Sequence, residues 1–233
     1  MTSQEPSVVE LQARWDKIRV ANLYDTLDSM GYANQCLDLG IRPLFPHQHL
    51  AGQVITVRGS AVPIPRGEEG GEWVGNYFDQ LLESLYPGCV VVVECGGEQH
   101  AGKFGEMTSW ALKQGGAQGI VLDSYIRDYL GLEVIPGFTA CARGTSPIES
   151  SARWRLNALN VTVGMPGTLT SRVRVDPGDW IVGEADGVVV VPKAIAMEVL
   201  EKVEDIEYRE QKMREDFANG VSFEEAYNKW GRA

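Results

Sequence analysis

Basic residues are the scarcer charge in this chain: 21 Lys and Arg stand against 32 Asp and Glu in 233 residues, a formal net charge of −11. A surface built for phosphate backbones carries a basic patch, so the balance argues against nucleic acid as a partner. Long apolar runs are missing too. No stretch approaches the roughly 18 residues of a membrane-spanning helix, and Met1-Thr2-Ser3-Gln4-Glu5-Pro6 lacks the basic region and apolar core of a signal peptide. The expectation is a cytoplasmic protein without membrane contact. The four cysteines, Cys36, Cys89, Cys95 and Cys141, are scattered with no C-x-x-C, which supports neither a disulfide framework nor a thiolate zinc site and leaves buried, reduced thiols. There are three histidines, two of them in the H-x-H pair His47 and His49. That spacing could hold a metal, but Pro43, Pro46 and the polar neighbours read as a solvated loop. No repeat is visible. No G-x-G-x-x-G follows a strand, so a nucleotide-like cofactor has no fingerprint here.

What is present is a succession of short apolar segments with turn residues between them. The 44% hydrophobic composition can bury one substantial core, so residues 1–233 are expected to form a single domain. Spacing between Glu10 and Met30 predicts two short helices, with Gly31 ending the second. Ala51–Gly59 reads as a strand, Tyr77–Leu85 as a helix, Cys89–Val93 as a strand covered on both faces, Met107–Gln114 as a helix and Gly119–Asp123 as the next buried strand. Pro63–Gly75, rich in glycine and glutamate, has no periodicity and reads as either a lid or an excursion. A short strand is expected around Glu133-Val134-Ile135. From Asn160 to Pro192 the pattern is β, in segments 161–164, 173–175, 180–182 and 188–192 separated by the turns Asp176-Pro177-Gly178-Asp179 and Asp186-Gly187. Residues 193–233 are helical. Ile195, Val199, Leu200, Val203, Ile206 and Met213 form a buried stripe there, Gly220 caps, and Ser222 with Glu225 forms a capping box. A long charged terminal helix of this kind suits a subunit interface.

The chemistry concentrates in Gly102-Lys103-Phe104-Gly105-Glu106 and, after twenty further residues, Arg127-Asp128. Glycines at 102 and 105 allow a tight turn whose first helical amides converge on one spot, and the helix N-terminus favours an anion there. An ordinary β-to-α connection capped by Glu106 has the same residues. Arg127 can hold a carboxylate bidentately and Asp128 suits a hard divalent cation that keeps most of its waters. As an isolated dipeptide the pair is equally a surface ion pair or a helix cap. Its position past the carboxyl end of a buried strand, one βα unit after the glycine turn, favours a site.

The pattern G-x-x-x-[D/E]-x20-R-D, met by Gly102, Glu106, Arg127 and Asp128, resembles the RraA-like family. That family includes class II pyruvate aldolases acting on 4-hydroxy-4-methyl-2-oxoglutarate and 4-carboxy-4-hydroxy-2-oxoadipate. Ala51-Gly52, Gly75-Asn76 leading to Pro87-Gly88-Cys89-Val90, Ala142–Pro147, Pro177-Gly178-Asp179 and Ala185–Pro192 agree with it, so the likeness spans about residues 20–230. It implies an α/β fold of the swivelling β/β/α type with a C-terminal helical extension, assembled as a homotrimer or a dimer of trimers. It further implies a lyase with oxaloacetate decarboxylase activity. Mg²⁺ or Mn²⁺ would bind to Asp128, with Glu106 reaching it through water. A small 2-oxo acid would be contacted by Arg127, Gly102, Lys103, Phe104, Gly105, Met107 and Asn76, with Arg127 and Glu106 catalytic. A non-catalytic regulator of ribonuclease E type is the alternative within the family. The chain departs from the pattern at Ser124, where glycine is common, and in the Pro63–Trp73 insertion, which would contribute specificity or be a surface excursion. Arg143 could help attract a di- or tricarboxylate or could be structural, and no residue presents itself as the base for a C4 hydroxyl.

Overall fold

Every residue of Cys89–Val93 is buried, and alternate side chains of the run enter different cores. Cys89, Val91 and Val93 pack with Ile55, Leu81, Leu112 and Leu122, whereas Val90 and Val92 pack with Val54, Ile181 and Val188. That is the consequence of a two-residue side-chain period in a strand covered on both faces. The computed structural model describes residues 6–62, 77–151 and 153–231. The 63–75 insertion and Asn76 therefore lie outside the described residues.

In chain order the elements are α1 (Val8–Trp15), α2 (Val20–Ser29), a 3-10 turn (Ala33–Gln35), β1 (Arg42–Pro43), β2 (Leu50–Ala61), α3 (Tyr77–Ser84), β3 (Cys89–Glu94), β4 (Gly102–Lys103), α4 (Glu106–Gln114), β5 (Gly119–Leu122), β6 (Tyr125–Ile126) and α5 (Tyr129–Glu133). They continue with β7 (Thr139–Ala142), β8 (Gly144–Thr145), β9 (Trp154–Leu159), β10 (Val163–Met165), β11 (Val173–Val175), β12 (Trp180–Glu184), β13 (Gly187–Val191), α6 (Ala196–Ala218) and α7 (Phe223–Trp230). The main sheet runs β1-β7-β5-β3-β2-β12-β13, with β2, β3, β5 and β7 parallel and the flanking strands antiparallel. Its far half on β2 pairs with β9 through a bulge at Arg58/Gly59. The sheet curls until β1 packs beside β12 and β13 from the opposite end of the strand order.

Helices cover the sheet in two groups. Trp15, Ile18, Leu23, Leu27, Val199, Leu200 and Val203 bury α1, α2 and α6 against Ala51, Trp180, Val182, Val189 and Val191. The expected stripe on the last long helix forms, with Val199, Leu200, Val203 and Met213 buried and Ile195 and Ile206 half-buried. Ser222 and Glu225 form the expected capping box, and Ser7 with Glu10 forms a second one that opens α1. One expectation fails. The stretch around Glu133-Val134-Ile135 is not a strand: Tyr129–Glu133 is a short helix and Val134 its C-cap, because Leu132 and Ile135 anchor the segment to the core at helical spacing while Val134 faces outward.

The feature that builds the site is a second tier of strands. Past their carboxyl ends, β3, β5 and β7 break, and the chain re-pairs as a three-stranded parallel sheet, β4-β6-β8, with Gly102 opposite Tyr125 and Tyr125 opposite Gly144. Broken strands leave backbone groups that must find partners. Asp123 Oδ1 accepts from the Cys95 amide at 2.7 Å, the Asp123 carbonyl accepts from Arg143 Nε at 3.1 Å, and the Ser124 carbonyl accepts from the Arg143 amide at 3.0 Å.

Candidate active site on the second tier

Gly102 and Gly105 are required by contact rather than by φ. A Cβ at Gly102 would overlap the Ser146 carbonyl and lie 2.8 Å from Arg127 Cβ, and one at Gly105 would overlap Asp128 Oδ2 and lie 2.8 Å from Arg127 Cγ. The two glycines thus let the Arg127-Asp128 backbone lie directly against the turn. Two non-glycine residues take left-handed conformations to complete it, Phe104 at φ 50° and Asp128 at φ 62°. A bulky residue in that region is uncommon, and such residues concentrate at functional sites.

The left-handed turn at Asp128 aims its carboxylate back at the preceding elements. Asp128 Oδ2 accepts from the Glu106 amide at 3.1 Å, and Oδ1 lies 3.4 Å from Arg127 Nε. The start of α4 has no side-chain cap of its own, so Asp128 supplies one from a distance and its negative charge meets the positive end of the helix. Glu106 packs its carboxyl against Gly131, where a Cβ would collide with it. Gly131 belongs to none of the motifs above, and the signal that marks it is a glycine inside the helix-like run Tyr129-Leu130-Gly131-Leu132. Arg127 and Asp128 are about one third and two fifths exposed, so both reach solvent.

The other candidates fall into distinct places. Met107 is 68% exposed on the first turn of α4, and Phe104 is 7% exposed with its ring edge-on to Trp154. Lys103 is fully buried, with its ammonium 5.8 Å from the Trp154 ring. Its Nζ donates to the Ala101 carbonyl at 2.9 Å, Ser124 Oγ at 2.9 Å, the Glu98 carbonyl at 3.3 Å and the Glu98 carboxylate. With those partners the ammonium is committed to the protein, and only the Lys103 backbone is left to meet a ligand. Ser124, the departure from the family pattern, is one of those partners and its hydroxyl donates a hydrogen bond to the Glu98 carbonyl at 2.6 Å. Burial pushes the Glu98 carboxyl up, but Lys103 and the amides of Ala101 and His100 outweigh it and hold the group below its ordinary range. Arg143 is bound to the Asp123 carbonyl and, at 2.8 Å, to Asp38, which makes it a brace across the tier.

The H-x-H pair sits elsewhere, beside the start of α2. His49 Nδ1 is 3.8 Å from Glu184 Oε2, and Glu184 in turn accepts from the Val20 amide at 2.9 Å. Among the described residues no group of three or more His, Cys, Asp or Glu could hold a metal ion. Asp128 with Glu106 nearby is a two-carboxylate set. This set fits a hard cation that retains several waters and does not fit a zinc-type cage.

The RraA-like family model, described as Aldolase/RraA, matches residues 20–190. The chain belongs to the RraA-like family. Among its relatives is an uncharacterised protein of Methanocaldococcus jannaschii, 28% identical over 81% of this chain and 83% of its own. A protein of Paraburkholderia phytofirmans provisionally named a 4-hydroxy-4-methyl-2-oxoglutarate aldolase is 31% identical over 66% of this chain and 87% of its own. Among solved structures, a Streptomyces coelicolor protein described as an unusual member of the RNase ES inhibitor RraA family superposes with a TM-score of 0.72 at 28% identity, covering 88% and 96% of the two chains. An uncharacterised Pseudomonas syringae protein gives a TM-score of 0.75 at 25% identity over 96% and 99%. The matched span runs from α2 to β13 and so contains both tiers of this RraA-like chain, whereas α1, α6 and α7 lie outside it. No helix of the described residues is long and apolar enough to cross a membrane.

Proposed function

We propose that this protein is a divalent-metal-dependent carbon-carbon lyase that cleaves a 4-hydroxy-2-oxo acid to pyruvate and a second oxo acid, with oxaloacetate decarboxylation as a side activity. The observation that carries the reading is the convergence of Arg127, Asp128 and Glu106 on the amino end of α4, with Asp128 Oδ2 3.1 Å from the Glu106 amide. Aldolase-named relatives support the lyase class.

Breaking the bond next to a 2-oxo acid leaves an enolate, and stabilising that charge is most of the task. Asp128, assisted by Glu106 through water, would hold Mg²⁺ or Mn²⁺, and the ion would supply Lewis acidity to the 2-oxo group. Arg127 provides a fixed cation whose fork matches the substrate carboxylate. The first-turn amides of α4 beyond Glu106, whose own amide Asp128 takes, would receive the same carboxylate together with the Gly105 amide and orient the chain of the substrate. Decarboxylation of oxaloacetate needs only this enolate-stabilising half, whereas retro-aldol cleavage also needs a base at the C4 hydroxyl.

The test is pyruvate release from oxaloacetate and from 4-hydroxy-4-methyl-2-oxoglutarate with Mg²⁺, Mn²⁺ or EDTA. Asp128→Ala is expected to abolish metal-dependent turnover while the far-UV spectrum is retained, and Arg127→Ala to abolish turnover while metal binding persists. Turnover that survives EDTA, or either variant keeping wild-type kcat/KM, refutes these roles. Likeness to the RNase ES inhibitor family supports a second reading, a regulator acting through protein contacts, and the absence of turnover on every 2-oxo acid would favour it. A contact protein has no use for an arginine and two carboxylates assembled at a helix amino end, so the lyase reading is preferred.

A further inference from the structure

A cavity of about 270 Å³ lies on the other flank of the same helix start, lined by Phe78, Phe104, Thr108, Trp154 and Leu156 with Ser150 and Ser151. Its walls are apolar for identifiable reasons. Trp154 Nε1 donates to the Cys95 carbonyl at 3.0 Å, so the indole shows the cavity only its ring. Thr108 Oγ1 is turned back to the Gly105 carbonyl at 2.8 Å, which leaves its methyl group outward. The left-handed backbone at Phe104 carries that ring off the strand direction and onto Trp154, closing one wall.

Of the wall residues, Phe104 belongs to the proposed anion turn and Thr108 to the helical turn that follows it. Glu106 and Thr108 are two positions apart on α4, hence on opposite flanks of the helix, with the tip amides between them. Asp128 and Arg127 press against Gly105 on the Glu106 flank, and the cavity opens beside Thr108. A 2-oxo acid whose carboxylate sits on the tip and whose keto oxygen faces Asp128 must send the carbons beyond C2 away from Asp128. That is toward the cavity.

Resting on the lyase reading, we infer that this cavity is the subsite for an apolar substituent at C4 of the substrate, so the protein favours 2-oxo acids with an aliphatic branch over short or purely polar ones. Apolar walls reward each buried carbon and offer nothing to a second carboxylate. Loss of the branch costs affinity without touching the carboxylate contacts.

Binding to the full chain in MnCl₂-containing buffer, measured by calorimetry, separates this inference from turnover. The ligands are pyruvate, 2-oxobutanoate, 2-oxopentanoate and 4-methyl-2-oxopentanoate. Kd is expected to be similar for pyruvate and 2-oxobutanoate, which carry nothing beyond C4, and to fall about fourfold for each carbon added past C4, the transfer value of a buried methylene. Ser151→Phe, which fills the cavity from a partly exposed position, is expected to flatten the series and leave pyruvate binding within twofold of wild type. Phe78→Leu, a milder change of the opposite sense, is expected to steepen it at the branched end. A flat wild-type series, or a steep one that Ser151→Phe leaves unaltered, overturns the subsite. Binding that follows the expected series without pyruvate release from any 4-hydroxy-2-oxo acid would remove the lyase reading and retain the subsite. No binding of any member would overturn both.

Discussion

Lys103→Met is the substitution with the largest stability effect that the structure allows to be worked out. The side chain is fully buried, and its ammonium is the shared donor for the Glu98 carboxylate, two carbonyls and Ser124 Oγ. Methionine matches its length and apolar stem, so packing beside Trp154 is kept and the loss is electrostatic. Removing one partner of a buried pair leaves an uncompensated charge, at a cost of about 3–5 kcal/mol. Glu98 keeps its bonds from the His100 and Ala101 amides, which places the expectation near about 3 kcal/mol, the lower end of that range. With urea m values of about 1–3 kcal/mol per molar for small proteins, and larger ones for bigger chains, the midpoint should fall by about 1–2 M at fixed protein concentration. Glu98→Gln in the Lys103→Met background removes the stranded charge and should recover about half or more of the loss. The sign with pH is also set. The native Glu98 pKa is depressed, so its contribution is fully present above the ordinary carboxylate value and disappears as pH falls through the native one. Without Lys103 the carboxyl titrates higher, so the deficit of the single variant should shrink on acidification from pH 7 toward pH 4. A single variant within 1 kcal/mol of wild type, or a double variant no more stable than the single, would refute the picture of a buried charge balance beneath the turn.

Gly105→Ala should cut kcat/KM for pyruvate release at least tenfold while the far-UV spectrum stays native, because the new methyl occupies the place of Asp128 Oδ2; an active, spectrally normal variant would show that the Asp128 position is not needed. Arg14 and Glu204 form a two-bond pair joining α1 to α6 at 2.8 and 2.7 Å, but both side chains are about one third exposed. A double-mutant cycle in urea should therefore return a coupling of only about 0.2–1 kcal/mol that weakens with added salt.

Most of the main sheet is legible from residue patterns. Cys89–Val93 and Gly119–Asp123 are apolar enough to require burial, Ala51–Gly59 has β-branched density bounded by glycines, Val188–Pro192 continues a β pattern, and each is a strand within one or two residues of the expected bounds. Thr139–Ala142 and Trp154–Leu159 escape, for different reasons. The first is only four residues of mostly small side chains leading straight into a loop, and the second mixes Arg155 and Asn157 with its buried Trp154 and Leu156 at the open edge of β2. The Gly102–Glu106 turn and Arg127-Asp128 are recognisable as parts, and the structure brings them together. The Lys103–Glu98–Ser124 cluster is not recognisable, because its members are linked only once broken strands re-pair as a second tier. Asn76 and the insertion, which fall outside the described residues, stay as sequence-based expectations.

The two tiers also determine where this chain can change its length. Between the main sheet and the small one the chain has seven residues from Cys95 to Ala101, but only Asp123-Ser124 and Arg143 at the other two crossings. The short crossings act as fixed struts, since an added residue would reverse which way every following side chain points and would take Arg127 or Gly144 out of register. The long crossing is tied down at Cys95 and Glu98, but at Gly97 an added side chain would meet open space. An added residue is therefore accommodated near Gly97, while the Arg127 side of this chain is held to a single spacing by the geometry of the strands beneath it.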